Sequence, residues 1–443
     1  MPAAIMFPDQ ASIANASSHH IRANGHSSSR AYSVPEEYVS MAQSTPHDHA
    51  RFPVLPLLLT YNLALASLLI SSPPFLWRLG GTIVCLALCL APYLDAGVGD
   101  NQRNYSTGCT LMIQAFTGIY LLWMSDPVHD FRHEREYTAP DELPFLRRLY
   151  WGLSIMNNPR GVGWTCQVAN VPPAPSEPRW GFVRRRLKRA FYWYMLLDLI
   201  QCYERQNPVF SGGRADWKSV SSQGYLLRPV NIFMRVAGVA AGLAMQHALF
   251  AVVTVAIGFS LPRDWPDIYG RWSDAYTVRR FWGRSYHQML RRLTASAGKA
   301  VCRILALRPG SSASSYTQLY VGFAVSGLIH CGGDLMVDPI FFGSSFLFFM
   351  SQAVAITVED AVIGAARMMQ LRIPQRLAHI VGYAWVLFWM NLSCPWYIDW
   401  SLKAGIIDAD RVPFSLITLA LRNPDAAVAV FFYAIFFSTT SYK

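Results

Sequence analysis

The chain has 443 residues, 52% hydrophobic, 14% aromatic and 15% charged, against about 25% charged residues in an ordinary globular domain. With a net charge of +11 and a mean hydropathy of +0.21, it cannot be a disordered chain, a collagen, a coiled coil or a disulfide scaffold. Several apolar runs reach the roughly 20 residues needed to cross a bilayer core, so the sequence reads as a polytopic membrane protein, its positive charge serving positive-inside topology, an anionic ligand, or both.

Residues 1–50 are polar and contain no apolar signal-peptide region, so a disordered tail is expected, with 51–443 forming a single membrane-embedded domain. Three apolar runs follow, at 53–72, 76–94 and 107–124. A polar segment over 125–188 ends in the basic block Arg179, Arg184, Arg185, Arg186, Lys188 and Arg189. The short aromatic run 190–203 predicts either a tilted span or an interfacial helix, and 233–261 a span. The second polar segment, 262–316, carries eight cations and no acid from Arg279 to Arg308. Further spans are predicted at 317–334, 339–358, 377–398 and 413–437.

The expected fold is therefore all-α, a transmembrane bundle of about eight to nine spans. Placing both basic segments in the cytoplasm puts the tail and the loop 95–106 in the lumen. That loop carries the sequon Asn104-Tyr105-Ser106, a glycosylation candidate. No internal repeat is visible, which weighs against an inverted-repeat transporter. The eight cysteines form no C-x-x-C pair and read as apolar core residues, not as a metal site.

Ionisable residues inside apolar spans are expensive and mark function. His379 lies near a span end, where an interfacial role is expected. His247, beside Gln246, reads as a helix–helix hydrogen bond. His330, in Ser326-Gly-Leu-Ile-His330-Cys-Gly-Gly-Asp334, fits either a buried general base or a packing histidine. Asp334, four residues on, would share its helical face and could orient the imidazole. The segment Phe281-Trp282-Gly283-Arg284-Ser285-Tyr286-His287-Gln288-Met289-Leu290-Arg291-Arg292, read as a helix, lines up Arg284, His287 or Gln288, and Arg291. It is either an interfacial amphipathic helix or a cationic face for a phosphorylated ligand. Arg160-Gly-Val-Gly163 is a weak phosphate-loop signal, lacking a third glycine and a following Lys.

Together with Trp164, Asn170-Val-Pro172 and the aromatic stretch from Trp385 to Trp389 and Pro395-Trp396, these segments resemble the wax-synthase-like branch of the membrane-bound O-acyltransferases. The likeness is greatest to fungal members that acetylate terpenoid secondary metabolites, and it covers about residues 150–400, in the family's order. It implies a helical membrane bundle with shorter helices at the cytoplasmic face, and acyl transfer from coenzyme A to a hydroxyl inside a membrane tunnel. His330 matches the family's intramembrane histidine and would act as general base. His287 falls on the second polar position. Trp282, Arg284, Gln288, Arg291, Arg292 and Asp334 become candidates for contacting substrate or coenzyme A. The resemblance further implies acetyl-CoA as co-substrate with no permanent cofactor, a small alcohol acceptor, lipid but no nucleic acid as partner, and the endoplasmic reticulum membrane. The chain departs from the family at Tyr286, where Trp or another bulky aromatic is frequent, and at Thr165–Ala169, where a charge is frequent. The alternatives are a long-chain wax ester or acylglycerol synthase and, in another class, a transporter.

Overall fold

The computed structural model describes residues 53–95, 99–214 and 216–423. The expected tail and most of the predicted span 413–437 lie outside these. The described residues contain no β-strand, only an isolated bridge between His133 and Trp164. The long helices are α1 (Val54–Ser71), α2 (Phe75–Leu90), α3 (Asn101–Ile119, continued by a π-turn to Met124), α4 (Phe145–Met156), α5 (Arg179–Gln206) and α6 (Gly224–Ala256). After these come α7 (Arg291–Ile304), α8 (Ser312–Val337), α9 (Phe346–Met368), α10 (Gln375–Lys403) and the short α11 (Leu416–Arg422). Among the described residues seven helical stretches, Val54–Ser71, Phe75–Leu94, Asn101–Met124, Gly224–Ala256, Ser312–Val337, Pro339–Met368 and Gln375–Lys403, are long and apolar enough to cross a membrane. The chain is an all-α, multi-pass membrane protein.

The aromatic run 190–203 is part of one continuous 28-residue helix, α5, about 42 Å long at 1.5 Å per residue. It runs antiparallel to α6. Near its start the Arg179 guanidinium donates to the Val255 carbonyl at 2.9 Å, and Phe182 and Val183 pack on Ala251 and Val255. Composition alone does not mark α5 as a span, because its buried face carries Asp198, Gln201 and Glu204. These are matched from 411–417. The Ile417 amide donates to Asp198 at 2.9 Å, the Arg411 amide to Gln201 at 2.6 Å, and the Arg411 guanidinium to both oxygens of Glu204 at 2.7 Å. Buried polar groups are tolerated when paired in this way.

The hairpin of α5 and α6 brings the two basic segments to one face, hereafter the loop face. Arg135 pairs with Asp264, Arg186 with Asp267 at 2.9 Å, and Arg189 with Asp267. Asn170 donates to the Gly283 carbonyl at 2.8 Å.

The other organising contact is between α3 and α8. Gly108 and Gly332 abut so closely that a Cβ at Gly108 would collide with the Gly332 carbonyl, and one at Gly332 with Met112. A Cβ at Gly333 would press on the Tyr105 ring at 2.6 Å. Small residues are what allow two membrane helices to approach to backbone contact.

The expected glycosylation at Asn104 does not fit this arrangement. Asn104 lies within the first turn of α3 and is buried, whereas an acceptor asparagine needs an accessible loop. The predicted loop 95–106 ends earlier than expected, because Asp100 caps α3 by accepting from the Arg103 amide at 2.9 Å.

Gly332→Val should force α3 and α8 apart and destabilise the protein by about 1–3 kcal/mol, the usual penalty of overpacking. The measurement is the melting temperature of the detergent-solubilised full chain, and an unchanged value would mean that this contact is dispensable.

Candidate active site

His330 sits on α8, one turn before Asp334, where α3, α9 and α10 converge on it. The Tyr105 hydroxyl lies 2.7 Å from Nδ1 and 2.6 Å from the Tyr397 hydroxyl. The Cys109 thiol is 3.8 Å from the same nitrogen. Phe349 stacks flat on the imidazole, with centroids 4.3 Å apart and planes 13° from parallel. The ring is thus fixed by one hydrogen bond in its plane and one aromatic face above it.

His287 comes from the loop face. Its segment starts at Thr277, whose hydroxyl accepts from the Arg280 amide at 3.1 Å. The carboxylate of Glu359, buried on α9, takes the Val278 amide at 2.7 Å and the Arg279 amide at 3.3 Å. Residues Phe281–Ser285 then form a π-turn, and the chain leaves helical geometry until α7 begins at Arg291. His287 packs on Tyr286 with centroids 4.4 Å apart. Its Nδ1 is sealed from solvent with no hydrogen-bond partner among the described residues. Burial pulls the imidazole from its ordinary 6.5 down to about 4, so it is neutral at physiological pH. His287 and His330 are close enough for a charge on one to oppose a charge on the other.

An aromatic path joins the two. Trp282 packs against Phe323, Phe348 and Phe349, and Phe349 covers His330. The Trp282 indole donates to the Gln352 side-chain oxygen at 3.2 Å, which also accepts from Trp389 at 3.0 Å.

A model of the membrane bound O-acyl transferase family matches residues 265–351, the stretch holding both histidines and Phe349. The chain is 32% identical to the acetyltransferase eriL of Hericium erinaceus, over 75% of this chain and 86% of that protein. It is 30% identical to the acetyltransferase ple2 of Rhodocybe pseudopiperita, over 76% and 88% respectively. The acetyltransferase sirH of Leptosphaeria maculans is 30% identical over 63% of this chain and 70% of its own length. The chain belongs to the membrane bound O-acyl transferase family. As an acyltransferase of that family it takes an acyl donor and an alcohol acceptor.

The structure redistributes several residues that the sequence put on one ligand face. The π-turn breaks the expected helix, so Arg284, His287, Gln288 and Arg291 do not form a stripe. Gln288 donates to the Trp282 and Tyr286 carbonyls at 3.1 and 2.8 Å and accepts from Arg291 at 2.8 Å. Arg291 also donates to the Gly283 carbonyl at 2.8 Å. These two side chains staple the loop that carries His287. Arg292 is buried, donating to the Ile155 carbonyl at 3.0 Å and lying 5.5 Å from the centroid of the Tyr120 ring. Of the three candidate arginines Arg284 alone is exposed.

Asp334 does not orient His330. It is fully buried and accepts from the Ser345 amide at 2.8 Å and the Ser345 hydroxyl at 2.6 Å, tying α8 to α9. The imidazole's partner is Tyr105 instead.

His247 is bonded, at 3.3 Å, but to Arg160 of the loop and not to a neighbouring helix. Arg160 also donates to the Asp267 and Pro266 carbonyls at 2.7 and 3.0 Å, so it is a structural clamp. Burial lowers its guanidinium to about 10, where it stays charged at neutral pH. Gly161 and Gly163 have φ of 62° and 76°, turns that let Arg160 reach Asp267. His379 stacks on Tyr276 with centroids 4.1 Å apart. Tyr105, Tyr397, Phe349, Gln352 and Glu359 carry the site's geometry and were not singled out from sequence.

The depressed titration of His287 has a consequence for stability. The unfolded chain binds a proton near pH 6.5 that the folded chain takes up only near pH 4. Stability is therefore retained above pH 6.5 and lost as the pH falls through this window, by about 3 kcal/mol. Melting temperatures of wild type and His287→Asn between pH 7.5 and 4 should diverge on the acid side, with wild type falling more steeply. Parallel curves would show that His287 is not buried neutral.

Proposed function

We propose that this chain is an O-acetyltransferase of the endoplasmic reticulum membrane, moving the acetyl group of acetyl-CoA to a hydroxyl of a terpenoid-type secondary metabolite. The observation that carries the reading is His330, an imidazole inside an apolar helix, gripped at Nδ1 by Tyr105 and covered by Phe349. The kind of acyl group is suggested by the names of the acetyltransferases it resembles.

In the tautomer that donates Nδ1–H to the Tyr105 oxygen, Nε2 of His330 holds the lone pair of a general base. The acceptor hydroxyl gives its proton to Nε2 as its oxygen attacks the thioester carbonyl carbon. A carbon–oxygen bond forms, the carbon–sulfur bond then breaks, and the departing thiolate recovers the proton from His330. The products are the ester and free coenzyme A. Proton transfer of this kind contributes roughly 10²–10⁴-fold. Neutral His287, buried on the loop side, would orient the thioester or polarise its carbonyl. Tyr105 acts through His330 as a positioning residue, with Tyr397 fixing its hydroxyl. Gln288, Arg291, Arg292 and Asp334 hold the frame.

The loop face offers the donor's phosphates a set of cations. Arg284 is exposed there, and Arg186 and Arg189 line a cavity of about 440 Å³ between α5 and α6 with Tyr192, Trp193, Asp267 and Trp272.

Microsomes expressing the chain should transfer labelled acetyl from acetyl-CoA to an alcohol in a terpenoid panel. Well-expressed His330→Ala should lose at least 10²-fold in rate, and palmitoyl-CoA should be a poor donor. Transfer unchanged in His330→Ala would sink the assignment of the base. A preference for palmitoyl-CoA would replace the acetyltransferase with a wax ester or acylglycerol synthase.

Tyr105→Phe keeps the ring and deletes the hydroxyl that holds Nδ1. It should lower kcat by about 10-fold or more with little change in KM for acetyl-CoA, as expected for loss of base orientation. A change confined to KM would place Tyr105 in donor binding.

A further inference from the structure

Arg235 lies within α6, one helical turn from Gly238, and is 7% exposed. It forms no hydrogen bond or ion pair with the described residues. The acid within its electrostatic reach, Glu204, is already held at both oxygens by Arg411 at 2.7 Å. Arg411 itself crosses α6 at Gly238, where a Cβ would meet its guanidinium at 2.8 Å. Two guanidinium groups thus share one carboxylate, leaving one positive charge unmatched inside the bundle. A guanidinium cannot shed its proton to escape burial, and an unpaired buried charge is expensive.

Its location connects this charge to the candidate active site. Arg235 is in electrostatic reach of Tyr397 and Tyr105, the two tyrosines linked to His330. Its neighbour Val236 packs in the cluster that contains Phe349 and Tyr397. Depth can be followed along α6. The loop carrying His287 reaches down it to Ala240, whose carbonyl accepts from the Tyr269 hydroxyl at 2.9 Å, and Tyr286 and Met289 pack there with Ala244. Arg235 lies five residues further from the loop face, about 8 Å at 1.5 Å per residue. A donor arriving from the loop face therefore meets His287 before Arg235, and the far side is left to the acceptor. The same neighbourhood is short of acceptors in a second place, since the Trp400 indole N–H, packed on Tyr105, is buried without a partner among the described residues.

We propose that Arg235 recognises a carboxylate on the acceptor, so that the alcohol acylated at His330 is a hydroxy acid. The planar guanidinium fork matches a carboxylate in two parallel hydrogen bonds and supplies the missing negative charge. This inference rests on the acyl-transfer reading for what happens at the hydroxyl, but not for binding.

The test uses the full chain in detergent and terpenoid alcohols offered in pairs, each as the free acid and as its methyl ester. Binding is read by thermal shift without donor, and turnover with labelled acetyl-CoA. Wild type should favour the acid in at least one pair by about 10²-fold, the worth of a charge-assisted hydrogen-bond pair. Arg235→Met should erase that preference through KM for the acid while KM for acetyl-CoA stays put, and Arg235→Lys should restore part of it. Wild type binding every ester as well as its acid overturns the proposal, and this comparison stands even if Arg235→Met fails to fold. An Arg235→Met that lowers kcat equally for acid and ester also overturns it, pointing instead to stabilisation of the reaction's oxyanion. Acid binding that depends on Arg235 without transfer from any acyl-CoA would keep the carboxylate site at Arg235 and remove the acetyltransferase reading.

Discussion

The backbone contact between α3 and α8 is the constraint on which the site depends. Hydroxyl and imidazole are 2.7 Å apart, a distance that two membrane helices carrying ordinary side chains at their crossing would not reach. At this crossing the facing positions are Gly108, Gly332 and Gly333, and the Tyr105 ring lies over the space a Cβ of Gly333 would fill. The glycines that flank His330 in sequence are therefore not a break in its helix. They are the reason a residue 225 positions earlier can hold its Nδ1. Without the close approach, Tyr105 would withdraw and the imidazole would keep only its aromatic cover.

A second requirement is that polar groups at membrane depth find partners inside the protein. This explains how the loop carrying His287 is held although it is not helical. Glu359 and Gln352 on α9 reach it from below, the first taking two of its backbone amides and the second the Trp282 indole. Gln288, Arg291 and Arg292 close it from within and against α4. Charged residues next to a catalytic motif invite assignment as ligand contacts. Here Arg291 is occupied by the Gly283 carbonyl of the π-turn and Arg292 by the Ile155 carbonyl of α4.

Hydropathy made most of the bundle readable, because seven stretches are apolar over a bilayer's thickness. It left α5 open between a span and an interfacial helix, because its Asp198, Gln201 and Glu204 are matched only by chain some 200 residues later. His330 was legible as an ionisable group inside an apolar run, and His287 through the likeness of its motif to the family's second polar position. Tyr105 and Tyr397 were not, since the first falls in the predicted loop 95–106 and the second at the end of a predicted span, and their pairing is a long-range fact. Asp334 was misread for the converse reason. Helical spacing put it on the face of His330, but Ser345 offered it two donors. The supposed cationic stripe of 284–291 assumed a period of 3.6 that the π-turn abolishes.

The order of groups along the membrane normal gives the site a direction. Cations gather at the loop face, where Asp267 draws in Arg186 and Arg189 and the carbonyl groups of Pro266 and Asp267 hold Arg160. The loop carrying neutral His287 descends along α6 to Ala240, Trp282 and Phe349 lead to His330 and its two tyrosines, and Arg235 lies further along α6. A phosphorylated donor is favoured at the top, where charge is solvated, and only its acyl end suits the aromatic passage. An acceptor that had to pass the same cations and aromatics would compete with the donor for one path. On the proposed reading, approach from the opposite side removes that competition and brings the acceptor to His330 past the unmatched Arg235 guanidinium, so that the polarity of the bundle would separate the two substrates.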